Sequence, residues 1–126
     1  MPTTSRQYAD TLVAAASGRI DHVNAPRFEA ELAPLLARAQ TGNLALVLDF
    51  SEVEYISSGG LRVLMIAATQ LRSQQRKLIV AGLYSVVAEI FAISRFDRVL
   101  TIAPDVEAAL AMCSPEAVAA YRSAPQ

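Results

Sequence analysis

Residues 44–65 read LALVLDFSEVEYISSGGLRVLM, and the change of pattern inside them decides the fold class. Residues 44–50 are an almost continuous apolar run of strand length, the mark of a strand buried on both faces. Beyond the serine–glycine stretch, Leu61, Leu64, Met65, Ala68 and Leu71 recur at helical spacing and predict an amphipathic helix ending near Gln75.

The same alternation extends in both directions. Towards the C-terminus, KLIVAGL (77–83) is a second buried strand. Ser85 is the expected cap of a helix carrying Val86, Val87, Ile90, Phe91 and Ile93, and RVLTI (98–102) is a short strand. Pro104 is expected to open a helix through Leu110, and Ser114, Pro115 and Glu116 read as N-cap, N1 and N2 of a last short helix, with Val118 and Tyr121 covering an apolar edge.

Towards the N-terminus, Phe28, Leu32, Leu35, Leu36 and Ala39 mark a helix with Asn24 as its cap and Gly42 as its C′ residue. Pro34 lies inside that helix and predicts a kink or break. Residues 12–16 form a short apolar run ended by SGRID (17–21), where Gly18 permits a turn, and Tyr8 is assigned to a preceding strand. Strands first, then helix and strand in alternation, predict an α/β fold whose sheet is largely parallel in its second half, with right-handed crossovers.

A chain of 126 residues that is 53% hydrophobic has enough apolar side chain for the core of a single domain, expected over 1–126. Its net charge of -1 argues against a nucleic-acid partner, and the densest basic run, Arg72, Arg76 and Lys77, reads as a solvated helix end. One cysteine, Cys113, and one histidine, His22, leave neither a disulfide framework nor a zinc site, so no metal or cofactor is expected. Without a signal peptide or a long apolar span, the expected setting is the cytoplasm, with no membrane insertion.

Enzyme readings find little support. There is no G-x-x-x-x-G-K-[ST] loop, no G-x-G-x-x-G fingerprint and no G-x-S-x-G elbow around Ser57 or Ser58. His22 can act as a base only if the fold brings RIDHVN (19–24) beside Ser58, and Cys113 reads as a buried inert thiol on an apolar helix face. Asp21, read as following a strand, and Asp49, at the end of the run 44–50, can converge with Ser57 and Ser58 at the carboxyl edge of a parallel sheet. The plainer reading has both carboxylates accepting nearby loop N–H groups.

Ser58 itself admits two readings. As structure it is the expected N-cap of the helix, with Gly59 and Gly60 leaving the backbone uncrowded. As function, an exposed hydroxyl at a helix start can enter a kinase active site, and a phosphate there meets the positive end of the helix dipole.

LVLDFSEVEYISSGGLRVLM (46–65) resembles the central motif of STAS domains, especially the free-standing bacterial anti-sigma factor antagonists. GRIDHVNAPRFE (18–29) is similar to the family's strand-to-helix element, and LIVAGLYSVVAEIFAISRFDRVLTI (78–102) to its late strand–helix–strand. The likeness covers about residues 8–111.

The resemblance implies a small mixed sheet with helices packed largely on one face. It also implies a non-enzymatic role, in which the protein binds an anti-sigma factor that is also a serine kinase of the GHKL type. Phosphorylation makes such an antagonist let go, and a phosphatase restores it, without a cofactor or a small-molecule substrate. By motif position the phosphorylated residue is Ser58, with Ser57 the lesser candidate; Ser57 stands where many members carry aspartate, and Gly59 where phosphorylated members often carry a small polar residue. The implied partner surface is Asp21, His22, Asn24, Ser57, Ser58, Gly59, Gly60 and Arg62. The alternative is an unphosphorylated interaction subunit of a lipid-transport ATPase or of a stressosome-like assembly.

Overall fold

The apolar runs assemble into one sheet of five strands in the order β1-β2-β3-β4-β5. In this computed structural model, residues 4–124 are described. The strands are β1 (Thr4–Tyr8), β2 (Thr11–Ile20), β3 (Ala45–Ile56), β4 (Leu78–Ala81) and β5 (Thr101–Ala103). The helices are α1 (Ala25–Gly42), α2 (Ser58–Arg72), α3 (Ser85–Ile93), α4 (Val106–Ala111) and α5 (Pro115–Ser123), with a 3-10 turn at Phe96–Arg98.

β1 and β2 form an antiparallel hairpin, and every later neighbour is parallel. The crossovers through α1, α2 and α3 all step in the same direction along the sheet, so crossovers of one hand lie on one face. Strand periodicity then divides the apolar residues. Leu46, Leu48 and Phe50 of β3 join Leu12, Ala14 and Ile20 of β2 in the larger core, with α1, α2 and α3. Val47, Ile79, Ala81 and Ala103 point the other way, into a smaller core closed by α4 and α5. Burying a side chain such as Phe50 contributes about 1.5–3 kcal/mol, and its ring also meets Phe28 edge-on at 6.3 Å. As expected, Val118 and Tyr121 of α5 join the smaller core, with the Tyr121 ring edge-on to Tyr8 at 5.3 Å.

Several local expectations are corrected. Gly18, with φ +82, does not end its strand; β2 absorbs it at a register shift and runs on to Ile20. Pro34 does not break α1. It faces solvent, so the Ala30 carbonyl it leaves without an N–H also lies on the exposed side, while Phe28, Leu32, Leu35 and Ala39 anchor the buried side. The left-handed residue that ends α1 is Asn43 (φ 55, ψ 47), one after Gly42. Ser85 is the first residue of α3, and Tyr84 holds the cap position without a side-chain bond. α4 starts at Val106, because Asp105 accepts the Ala108 N–H at 2.8 Å and fixes the first turn two residues past Pro104. Ser114 caps α5 as expected, accepting from Ala117 at 3.1 Å, and its hydroxyl also donates to Asp10 at 2.7 Å.

β3 is the element that positions the site. β4 pairs only with residues Leu46 to Asp49, whereas β2 follows β3 to its last residue, Ile56. The end of β3 therefore projects beyond the rest of the sheet with β2 alone beside it. Two register shifts in this stretch, from Ala15/Asp49 to Ser17/Glu52 and from Gly18/Val53 to Arg19/Tyr55, each place one more residue on β3 than on β2. Such bulges raise local twist and let Val53 and Ile56, three apart, both enter the larger core.

Candidate functional site

The ends of β2 and β3 are tied together where the two helices begin. Ile20 pairs with Ile56, and the Ser57 N–H donates to the Ile20 carbonyl at 2.7 Å. That bond holds Ser57 extended (φ -87, ψ 171), and α2 starts one residue later. The N-cap is consequently Ser57 and not Ser58: the Ser57 Oγ accepts the Gly60 N–H at 3.3 Å, and its carbonyl accepts the Leu61 N–H at 2.9 Å. Ser58 occupies N1, exposed, with no hydrogen bond from its hydroxyl to any described residue.

The two glycines do different things. A Cβ at Gly60 would lie 2.7 Å from Ile56 Cγ1 and 2.8 Å from Ile20 Cγ2, so α2 can sit this close to the strand ends only with glycine there. A Cβ at Gly59 would meet Ala25 Cβ at 3.5 Å and Ser57 Oγ at 3.6 Å, ordinary contacts that place the first turns of α1 and α2 side by side.

The β2–α1 loop is held by its own side chains. Asp21 Oδ1 accepts the N–H groups of Val23 at 3.0 Å and Asn24 at 3.1 Å. Asn24 stands at the cap position of α1 but does not cap it with its side chain: its Oδ1 accepts the Asp21 N–H at 2.8 Å, and its Nδ2 donates to the Arg19 carbonyl at 2.7 Å. The result is a closed Asx-type turn that presents His22 and Val23 to solvent, Val23 at 76% exposure.

Thus Asp21, His22, Asn24, Ser57, Ser58, Gly59 and Gly60 come to one end of the sheet. Arg62 lies one turn along α2, exposed. Asp49 does not join them. β3 continues past it to Ile56, seven residues or about 23 Å further on. Asp49 Oδ1 accepts the Ser51 N–H at 3.0 Å, as the plainer reading had it, and the side chain borders an open cleft of about 420 Å³ on the second face, with Arg6, Tyr8 and Tyr121. The loop that carries His22 does reach the start of α2, yet no hydrogen bond joins His22 to Ser57 or Ser58 among the described residues. A general base needs that contact or one water between.

Three features escaped the sequence reading. Val23 is an exposed apolar residue in a polar loop, a signal present in DHVN. The guanidinium of Arg19 stacks over the Tyr55 ring at 4.6 Å, a pair visible only once β2 and β3 are in register. Ile20 and Ile56, which give Gly60 its role, are equally a matter of register. Elsewhere, burial pushes the Cys113 thiol up, opposed by a Thr11 hydrogen bond and by Lys77.

Comparison with known proteins covers most of the chain. The STAS domain family matches residues 3–109. The chain is 39% identical over 111 residues, 88% of its own length and 93% of the relative's, to a protein of Bordetella bronchiseptica named as the anti-sigma factor antagonist BtrV. Among solved structures, an anti-sigma factor antagonist from Mycobacterium paratuberculosis superposes with a TM-score of 0.76 at 25% identity, over 87% of this chain and 91% of that one. A Thermotoga maritima protein described in the same terms gives 0.77 at 18% identity, over 87% and 92%, a likeness of fold.

Proposed function

Since this chain belongs to the STAS domain family, we propose that it is an anti-sigma factor antagonist, a binding module that docks through the β2–α1 loop and the start of α2 on an anti-sigma factor of the serine-kinase type. Phosphorylation of Ser58 switches it off, and a phosphatase restores it. The likeness to the Bordetella antagonist supports the role, and one structural observation carries the choice of serine. Ser57 is consumed by the cap, while the Ser58 hydroxyl is exposed and unengaged.

In the modification, Ser58 Oγ attacks the γ-phosphorus of ATP as the bond to the β-phosphate oxygen breaks. ADP leaves, and the hydroxyl proton passes to a base on the kinase. The phosphate adds about two negative charges at a helix start, where the dipole favours them. The fold tolerates that charge, and a partner surface packed against Ser58 does not.

The test is incubation with the purified anti-sigma kinase of the same organism, ATP and Mg²⁺, followed by mass spectrometry. One phosphoryl group is expected on Ser58 and none on Ser58→Ala. Labelling that persists in Ser58→Ala removes Ser58 as the acceptor. An active kinase that binds the protein without labelling it points instead to an unphosphorylated interaction subunit.

A further inference from the structure

We propose that Arg62 is an in-cis clamp for a phosphate on Ser58, so that the modified protein folds the new charge onto its own helix. The inference rests on Ser58 being the phosphorylated residue and deepens that reading.

Ser58 and Arg62 are four apart on α2, both exposed. Side chains at that spacing share a face, with Cβ atoms about 5–6 Å apart. Helical side chains lean towards the N-terminus, so Arg62 reaches back over the turn that holds Ser58. Arg62 has no hydrogen-bond or ion-pair partner among the described residues. Its neighbours are engaged: Arg19 over the Tyr55 ring at 4.6 Å, Arg27 with Glu31 at 3.2 Å, and Asp21 with the amides of Val23 and Asn24.

The backbone adds to the receptor. The Gly60 and Leu61 N–H groups are taken by Ser57, whereas those of Ser58 and Gly59 have no acceptor among the described residues. A phosphate on Ser58 thus finds a planar guanidinium on one side and free amides beneath it. One modification then changes the surface twice. It introduces negative charge, and it withdraws from any partner the cation of the α2 start that has no partner of its own among the described residues.

The test installs phosphoserine at position 58 by genetic encoding and follows its second ionisation by ³¹P NMR. A neighbouring cation favours the dianion, so it lowers the midpoint from its ordinary value near 6. The wild-type background should titrate about 0.3 pH units below Arg62→Ala, the shift expected of an exposed pair at this spacing. Arg62→Lys should fall between, and molar salt should bring the curves together. A parallel series in His22→Gln takes the chain's one imidazole out of the comparison. Equal midpoints in wild type and Arg62→Ala overturn the clamp. Because phosphoserine is encoded, that result is independent of whether the kinase modifies Ser58, and the kinase assay stands or falls separately.

Discussion

Gly60→Ala and Gly59→Ala differ by one position and should move stability in opposite directions. In a helix interior, replacing glycine by alanine gains up to about 1 kcal/mol, through propensity and a smaller loss of backbone entropy. At Gly59 little opposes that gain, because the new methyl meets Ala25 Cβ at 3.5 Å; the expected change is about 0.5 kcal/mol of stabilisation, reduced by its place in the first turn. At Gly60 the methyl would lie 2.7, 2.8 and 3.1 Å from atoms of Ile56 and Ile20, both nearly fully buried. The two closest are γ carbons held next to the backbone, which cannot swing aside. Overpacking costs about 1–3 kcal/mol, so the net loss is about 1–2 kcal/mol after the propensity gain. Urea unfolding with an unchanged m-value measures both variants. Ile20→Ala removes one clashing carbon, and in the double variant with Gly60→Ala it should recover at least about 0.5 kcal/mol beyond additivity. A Gly60→Ala protein as stable as Gly59→Ala would falsify the claim that close approach to the strand ends demands glycine.

Three other outcomes follow from the same structure. Ser57→Ala loses the α2 cap and should cost about 1 kcal/mol while leaving kinase labelling in place, whereas Ser58→Ala should cost under about 0.5 kcal/mol and abolish it; urea melts and mass spectrometry separate the two. Asn24→Ala removes two side-chain bonds that close the β2–α1 loop, at about 1–2 kcal/mol, and the Asp21 amide should lose hydrogen-exchange protection while amides in β4 keep theirs. Burial raises the Cys113 thiol, so the folded state holds that proton more tightly than the unfolded chain does. Its contribution to stability is full below the unfolded thiol value and is lost as pH rises from there through the raised folded value; iodoacetamide at neutral pH should label the native protein more slowly than the urea-unfolded one.

The order of strands and helices was legible because apolar spacing changes between period two and period 3.6 at each junction. The end of β3 was not. After Phe50 the sequence turns polar, and the apolar run that marks the strand stops. Only the two bulges against β2 bring Phe50, Val53 and Ile56, each three apart, to one face. Ending the strand at Phe50 drew the Asp49 carboxylate into a site about 23 Å away. The choice of cap failed by one residue for a related reason: Ser57 and Ser58 are chemically equal caps, and a single bond to the Ile20 carbonyl, set by tertiary pairing, decides between them. Asn24 shows the same limit, since its amide serves the incoming strand in place of the outgoing helix. What could be read locally was that the two loops meet: both stand at the carboxyl ends of adjacent parallel strands, where backbone direction brings them together.

The projection of β3 past β4 divides the molecule into parts that can be exchanged. Residues 46–48 alternate between the two cores, so a change there is felt on two sides of the sheet. Residues 52–56 have β2 alone as their strand neighbour, and they end at the proposed docking surface. A chimera that keeps residues 16–72 and takes α4 and α5 from a distant relative should therefore retain its partner choice. Recognition and the covering of the far face are separable parts, joined by one strand that runs through both.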